Sequence, residues 1–151
     1  MRKRYGIELK FINEKTLQEI KKWPISDYTD TIIILPSKRD FEQLKEVLID
    51  KNLYENSYVL FELNTPTLTN LSNDYGFQSS QNTFYLFLDL VSAFTIIDGD
   101  KTSKEMFVLQ LDEYIVAKSN NIYFVDSQFN ELVQKIATAY GVKITYSTST
   151  K

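Results

Sequence analysis

Apolar side chains fall at alternate positions near the start of the chain, with Tyr5, Ile7, Leu9 and Phe11 on one side and Glu8 and Lys10 on the other. Over residues 5–12 this period of two predicts a strand with one solvated face. Asn13 follows as a helix N-cap whose side-chain oxygen can take an amide of the first turn, and Ile12 and Leu17 stand at the spacing of a hydrophobic staple. The short helix carries Leu17, Ile20 and Trp23 inward and stops at Pro24, whose ring disfavours helical geometry at the residue before it. Residues 31–35 (TIIIL) are a continuous β-branched run, the pattern of a buried strand. After Pro36, Ser37 and Asp40 form an S-x-x-D start, and Phe41, Leu44, Val47 and Leu48 make one helical stripe. Residues 57–63 (SYVLFEL) read as a third strand. Strand, helix, strand, helix, strand predicts parallel pairing through right-handed crossovers.

The C-terminal part repeats this logic. Residues 122–125 predict a strand and Asp126-Ser127 an N-cap; Phe129, Leu132, Val133, Ile136, Ala137 and Tyr140 then recur at helical spacing. Gly141 closes that helix, and residues 142–146 resume a strand. Between the two ends the pattern changes. Residues 64–83 hold 13 Asn, Ser, Thr or Gln with Pro66 and Gly76, a long connection or a set of short turns. Residues 84–97 are apolar almost throughout, interrupted by Asp89 and Ser92. Asp98-Gly99 suits a hairpin turn, and residues 106–111 are expected to return as a strand because Phe107, Leu109 and Leu111 alternate with Val108, Gln110 and Asp112. A helix over residues 104–118 is the competing assignment, since Phe107, Leu111 and Tyr114 share a helical face. The expected fold is α+β: a single domain over residues 1–151 with a mixed sheet, a βαβαβ-like N-terminal part, a central hairpin and a C-terminal βαβ unit. Residues 147–151 are expected to form a disordered tail.

A chain of 151 residues can hide roughly 70% of its unfolded surface, so no disulfide or structural metal is needed to hold its core. It contains neither Cys nor His. That removes Cys-His and Ser-His nucleophiles, imidazole acid/base chemistry and His- or Cys-ligated zinc, leaving carboxylates, Lys, Tyr, Ser and Thr. Glycine stands only at 6, 76, 99 and 141, so neither the P-loop nor the dinucleotide-binding spacing can be written. No apolar run approaches the ~18 residues of a membrane span. Met1-Arg2-Lys3-Arg4 has the charge of a secretory leader, but an alternating strand follows it instead of an apolar stretch. A cytoplasmic protein without membrane association is the expectation.

Charge adds the one asymmetry that bears on function. Lys and Arg number 17 against 20 Asp and Glu, yet residues 52–100 contain no cation at all, six carboxylates and nine aromatic rings. Much of that stretch is core by its hydrophobicity, since burying a cation costs several kcal/mol. Its polar part, residues 64–83, sets Asp74, Tyr75 and Phe77 among small hydrogen-bonding residues, a mixture suited to binding loops. With the hairpin tip at Asp98 and Asp100, these five residues are the candidate partner-binding set: Tyr75 and Phe77 as anchors, the carboxylates as steering charges toward a basic protein surface.

The basic triplet Arg2, Lys3, Arg4 and the pairs Lys21, Lys22 and Lys38, Arg39 are read as solvated, because a net charge of −3 weighs against nucleic acid. Asp98 and Asp100, with Asp89 or Asp112 and Glu113, are the one constellation that could hold Mg²⁺, and turn chemistry explains it at least as well. No catalytic residue, metal ligand or cofactor is therefore assigned, and the oligomeric state is left open. The expected function is a non-catalytic protein-binding domain, such as an immunity or inhibitor protein that binds a basic toxin or nuclease. The alternative is a carboxylate-based enzyme, with or without Mg²⁺, acting on a phosphate- or sugar-containing substrate.

Overall fold

The computed structural model describes residues 2–147. In chain order the elements are β1 (Arg2–Leu9), α1 (Glu14–Ile20), β2 (Asp27–Tyr28), β3 (Ile32–Leu35), α2 (Lys38–Asp50), β4 (Tyr54–Glu62), β5 (Thr67–Leu68), α3 (Ser72–Tyr75), β6 (Gly76–Gln78) and β7 (Phe84–Phe87). They continue with β8 (Val91–Asp98), α4 (Lys101–Gln110), β9 (Ile115–Ser119), β10 (Ile122–Asp126), α5 (Asn130–Ala139) and β11 (Lys143–Tyr146), with 3-10 turns at Asp112–Tyr114 and Ser127–Phe129. The fold is α+β. Two compact units interleave along the chain: residues up to 63 with 77–87, and residues 64–76 with 88 onward. The expected tail lies outside the described residues from 148 on, and Ser147 still donates its backbone N–H to the Ala93 carbonyl at 2.8 Å.

The first unit is built on a six-stranded sheet in the order β2-β3-β1-β4-β7-β6. All four side chains of β3 are buried, which explains its unbroken apolar run. Ile33 and Leu35 join Ile7, Leu9 and Ile20 in a core with Phe41, Leu44 and Leu48 of α2, while Ile32 and Ile34 pack with Leu60 and Tyr85. Both helix starts follow the sequence: Asn13 accepts the Thr16 N–H at 2.9 Å, and Ser37 accepts the Asp40 N–H at 3.3 Å.

The second unit holds the five-stranded sheet β11-β8-β10-β9-β5. Phe94, Val125 and Val142 pack there with Phe107 and Leu111 of the α4 segment and with Val133 and Ala137 of α5. Phe94 stacks on Tyr123 and meets Phe107 and Tyr146 at tilted angles. Gly141, at φ +69°, turns the chain from α5 into β11, the left-handed geometry that glycine adopts without a Cβ penalty.

Parallel pairing and a mixed sheet were expected, and both sheets are antiparallel instead. β1 pairs antiparallel with both β3 and β4, and β8 pairs antiparallel with both β10 and β11. The β3-α2-β4 and β10-α5-β11 crossovers do join strands of like direction, but a third strand lies between each pair. For α1 the reason is length: seven residues span about 10 Å at 1.5 Å each, too little to run back along an eight-residue strand of about 26 Å. The apolar run 84–97 is also broken, at a turn over residues 88–90, so β7 belongs to the first unit and β8 to the second.

The largest correction concerns residues 98–111. The expected hairpin turn is a helix entry: Gly99 takes φ +139°, Asp100 caps α4, and residues 106–110 are helical, with Leu111 its C-cap, instead of forming a returning strand. Alternation of Phe107, Leu109 and Leu111 cannot distinguish the two, because Phe107 and Leu111 are also neighbours at helical spacing. The cap decides. In the helix Phe107 and Leu111 are fully buried whereas Leu109 is 68% exposed. Phe107→Ala should therefore cost about 3 to 5 kcal/mol in urea denaturation, while Leu109→Ala should change stability by no more than about 0.5 kcal/mol. Equal losses would restore the strand.

Candidate functional site

The polar connection is fastened to its own unit by hydroxyls. Thr69 donates its hydroxyl to the Ile115 and Val116 carbonyls at 2.8 and 3.0 Å, Ser72 donates to the Val116 carbonyl at 2.6 Å, and Ser119 donates to the Asn64 carbonyl at 2.7 Å. Small hydrogen-bonding residues here satisfy the backbone beside β9, which serves structure as directly as binding. The connection also divides at residue 76: Asp74 and Tyr75 belong to the second unit and Phe77 to the first. Asp74 is exposed on α3. Tyr75 is half-buried and donates its hydroxyl to Asp126 Oδ2 at 2.6 Å. Phe77 stacks against Tyr85 at 5.6 Å and tilts against Phe87, so it packs with the aromatic cluster of the first unit.

Asp98 and Asp100 are both exposed and both hold backbone. Asp98 accepts the Gly99 N–H at 2.9 Å. Asp100 accepts the Ser103 N–H at 2.8 Å and its hydroxyl at 3.1 Å, and these hydrogen bonds hold its carboxyl below the ordinary carboxylate range. Each still has its charge in water. Beyond them α4 presents an outer row of Thr102, Glu105, Met106 and Leu109 at the i, i+3, i+4, i+7 spacing of one helical face. Met106 is 44% exposed and Leu109 68%. Sequence reasoning missed this row by taking residues 106–111 for a strand; the available signal was Asp100 three residues before Ser103, a capping pair. Among the described residues no three Asp or Glu gather as a metal would require, and no helix is long and apolar enough to cross a membrane.

Net charge divides with the units. The first contains 11 Lys and Arg against 11 Asp and Glu, the second 6 against 9, so the whole excess of −3 belongs to the second. In the first unit the basic start is partly neutralised, since Arg4 Nε and Arg2 Nη1 stand 3.3 and 3.7 Å from the Glu62 carboxylate. Among its described residues the one buried carboxylate is Asp27, which accepts the Tyr85 hydroxyl at 2.9 Å and the Tyr28 N–H at 2.8 Å. Two hollows open along α1. One, of about 520 Å³, is apolar around Leu17, Ile20, Trp23 and Ile25. The other, of about 570 Å³, is lined by Lys15, Glu19, Lys22 and Lys51 with Phe11 and Asn13 among its walls.

Tyrosine and carboxylate pair repeatedly. The bond to Asp126 together with burial pushes Tyr75 up to about 12, and burial with the hydrogen bond to Glu8 does the same for Tyr58. Burial tends to raise Asp126, but the donors of Tyr75 and Gln128 outweigh it and hold the carboxyl below its usual value. Compared with protein-family models, curated proteins and solved structures, the chain matches none.

A tyrosine that holds its proton more tightly when folded stabilises the protein below its unfolded value near 10, and that contribution is lost as pH rises through 12. Tyr75→Phe should lower stability at neutral pH and make the decline of Tm between pH 10 and 12 shallower than in the parent. An unchanged slope would mean the Tyr75–Asp126 bond does not persist in solution.

Proposed function

We propose that this chain is a non-catalytic protein-binding domain whose second unit engages a partner with a basic surface. The observation that carries the reading is the outer row of α4, where Met106 and Leu109 face solvent on a segment, residues 98–113, that sets five carboxylates (Asp98, Asp100, Glu105, Asp112 and Glu113) against two lysines, Lys101 and Lys104. Scattered exposed apolar residues are ordinary. Two on adjacent turns with carboxylates before and after them have the chemistry of an interface with an apolar centre and a charged rim. Met suits such a centre because its unbranched thioether adapts to a partner's contour.

The reading keeps Asp74, Asp98 and Asp100 as steering charges and gives the anchoring role to Met106 and Leu109. Tyr75 and Phe77 stay within the proposal, but replacing either also removes packing or a hydrogen bond, so they are poor reporters of contact. An inhibitor of a basic toxin or nuclease is the kind of protein that fits, since a negative rim opposes a surface evolved to hold phosphate. A cytoplasmic location goes with it, in keeping with a chain that has no cysteine.

The test is made on a partner crosslinked in the cell of origin and then purified. Met106→Ser with Leu109→Ser should weaken binding by about 2 kcal/mol, roughly thirtyfold, chiefly through faster dissociation. Asp98→Asn with Asp100→Asn retains the helix cap and should slow association and flatten its salt dependence. Leu132→Ser, on the exposed margin of α5, serves as the control and should bind like the parent. If the α4 variants also bind like the parent, the partner lies elsewhere and the reading is wrong.

A further inference from the structure

Lys15, Gln18, Glu19 and Lys22 stand at i, i+3, i+4 and i+7 along α1 and the turn that follows it, one row on one face. Lys51, the residue that ends α2, brings its ammonium to 3.0 Å from Glu19 Oε2, and the Lys22 ammonium stands 4.0 Å from the same oxygen. One carboxylate oxygen thus answers two cations, which lie no farther apart than the sum of those distances. Lys15 makes no ion pair among the described residues and lines the same open cleft. Three ammoniums against one carboxylate leave two positive charges in excess there, in a unit whose charges balance only when taken as a whole. Like charges held together repel, and an anion relieves them. Phe11 lies at the same cleft with its side chain 51% exposed, a flat apolar surface beside the lysines. At about 570 Å³ the cleft falls in the size range of small-molecule sites.

We infer that this cleft binds a nucleoside polyphosphate, with its phosphates among Lys15, Lys22 and Lys51 and its base against the Phe11 ring. Lysine serves phosphate as a point charge and needs no glycine-rich loop to do so, and an aromatic face accepts any base. Glu19 is the resident anion that the phosphates compete with, so it sets the affinity from within the site. The site lies in the first unit and stands or falls independently of the proposed protein partner.

Calorimetric titration of the full chain with ATP and with tripolyphosphate tests it, with circular dichroism confirming that each variant is folded. ATP should bind once and saturably, and more weakly as salt rises. Lys22→Gln with Lys51→Gln should weaken it at least tenfold. Phe11→Ala should weaken ATP severalfold and leave tripolyphosphate unchanged. Glu19→Gln should tighten ATP, a gain that the loss of a merely structural ion pair would not produce. No saturable binding, variants that bind like the parent, weaker binding in Glu19→Gln, or binding confined to single-stranded oligonucleotides would each overturn the inference.

Discussion

The carboxylate of Asp100 sets the course of the chain through the second unit. Residues 101–111 carry two compatible patterns, an alternation that suits a strand and an i, i+4 pair that suits a helix. Against that near balance, a cap that satisfies the Ser103 amide at 2.8 Å favours the helix. Once the helix starts at Lys101, Phe107 and Leu111 point together into the core with Phe94, Val133 and Ala137. The same choice turns Met106 and Leu109 outward. One hydrogen-bonded aspartate therefore completes the core and creates the exposed row on which the protein-binding reading rests.

The two units use one device. In each, a helix joins two strands of like direction, and a third strand antiparallel to both is inserted between them: β1 between β3 and β4, β8 between β10 and β11. The helices that make these connections, α2 and α5, are amphipathic with clear buried stripes. Charge distinguishes the units, being balanced in the first and negative in the second. That division places the two proposed sites apart in chemistry, a cationic cleft along α1 and, over residues 98–113, a segment with more carboxylates than lysines.

How much of this the sequence discloses follows the range of each interaction. Asn13 and Ser37 are legible as helix caps because their partners are three residues away, whereas Asp126 caps the 3-10 turn at Ser127–Phe129 and not α5 itself, which starts at Asn130 without a side-chain cap. The helices near residues 37–50 and 127–140 are legible because periodicity is local too. Strand order is not, because β1 meets β4 through side chains and backbone some fifty residues apart, and nothing near β3 says which strand will lie beside it. At the site, exposure of Asp98 and Asp100 could be read from their charge, whereas exposure of Leu109 depends on the turn that Asp100 imposes. The packing of Phe77 is equally hidden, because its ring meets Tyr85 while its sequence neighbours are small and polar.

The most direct measurement replaces Leu109, and separately Leu132, with a photoreactive residue and crosslinks in the cell of origin. If α4 is the contact face, the residue at 109 should crosslink to one protein with a basic surface, the product should form more slowly with Asp98→Asn and Asp100→Asn, and the residue at 132 should give none. No specific product at 109, or the same product at the same rate from both positions and both charge states, would contradict the assignment of residues 98–113 as the docking segment.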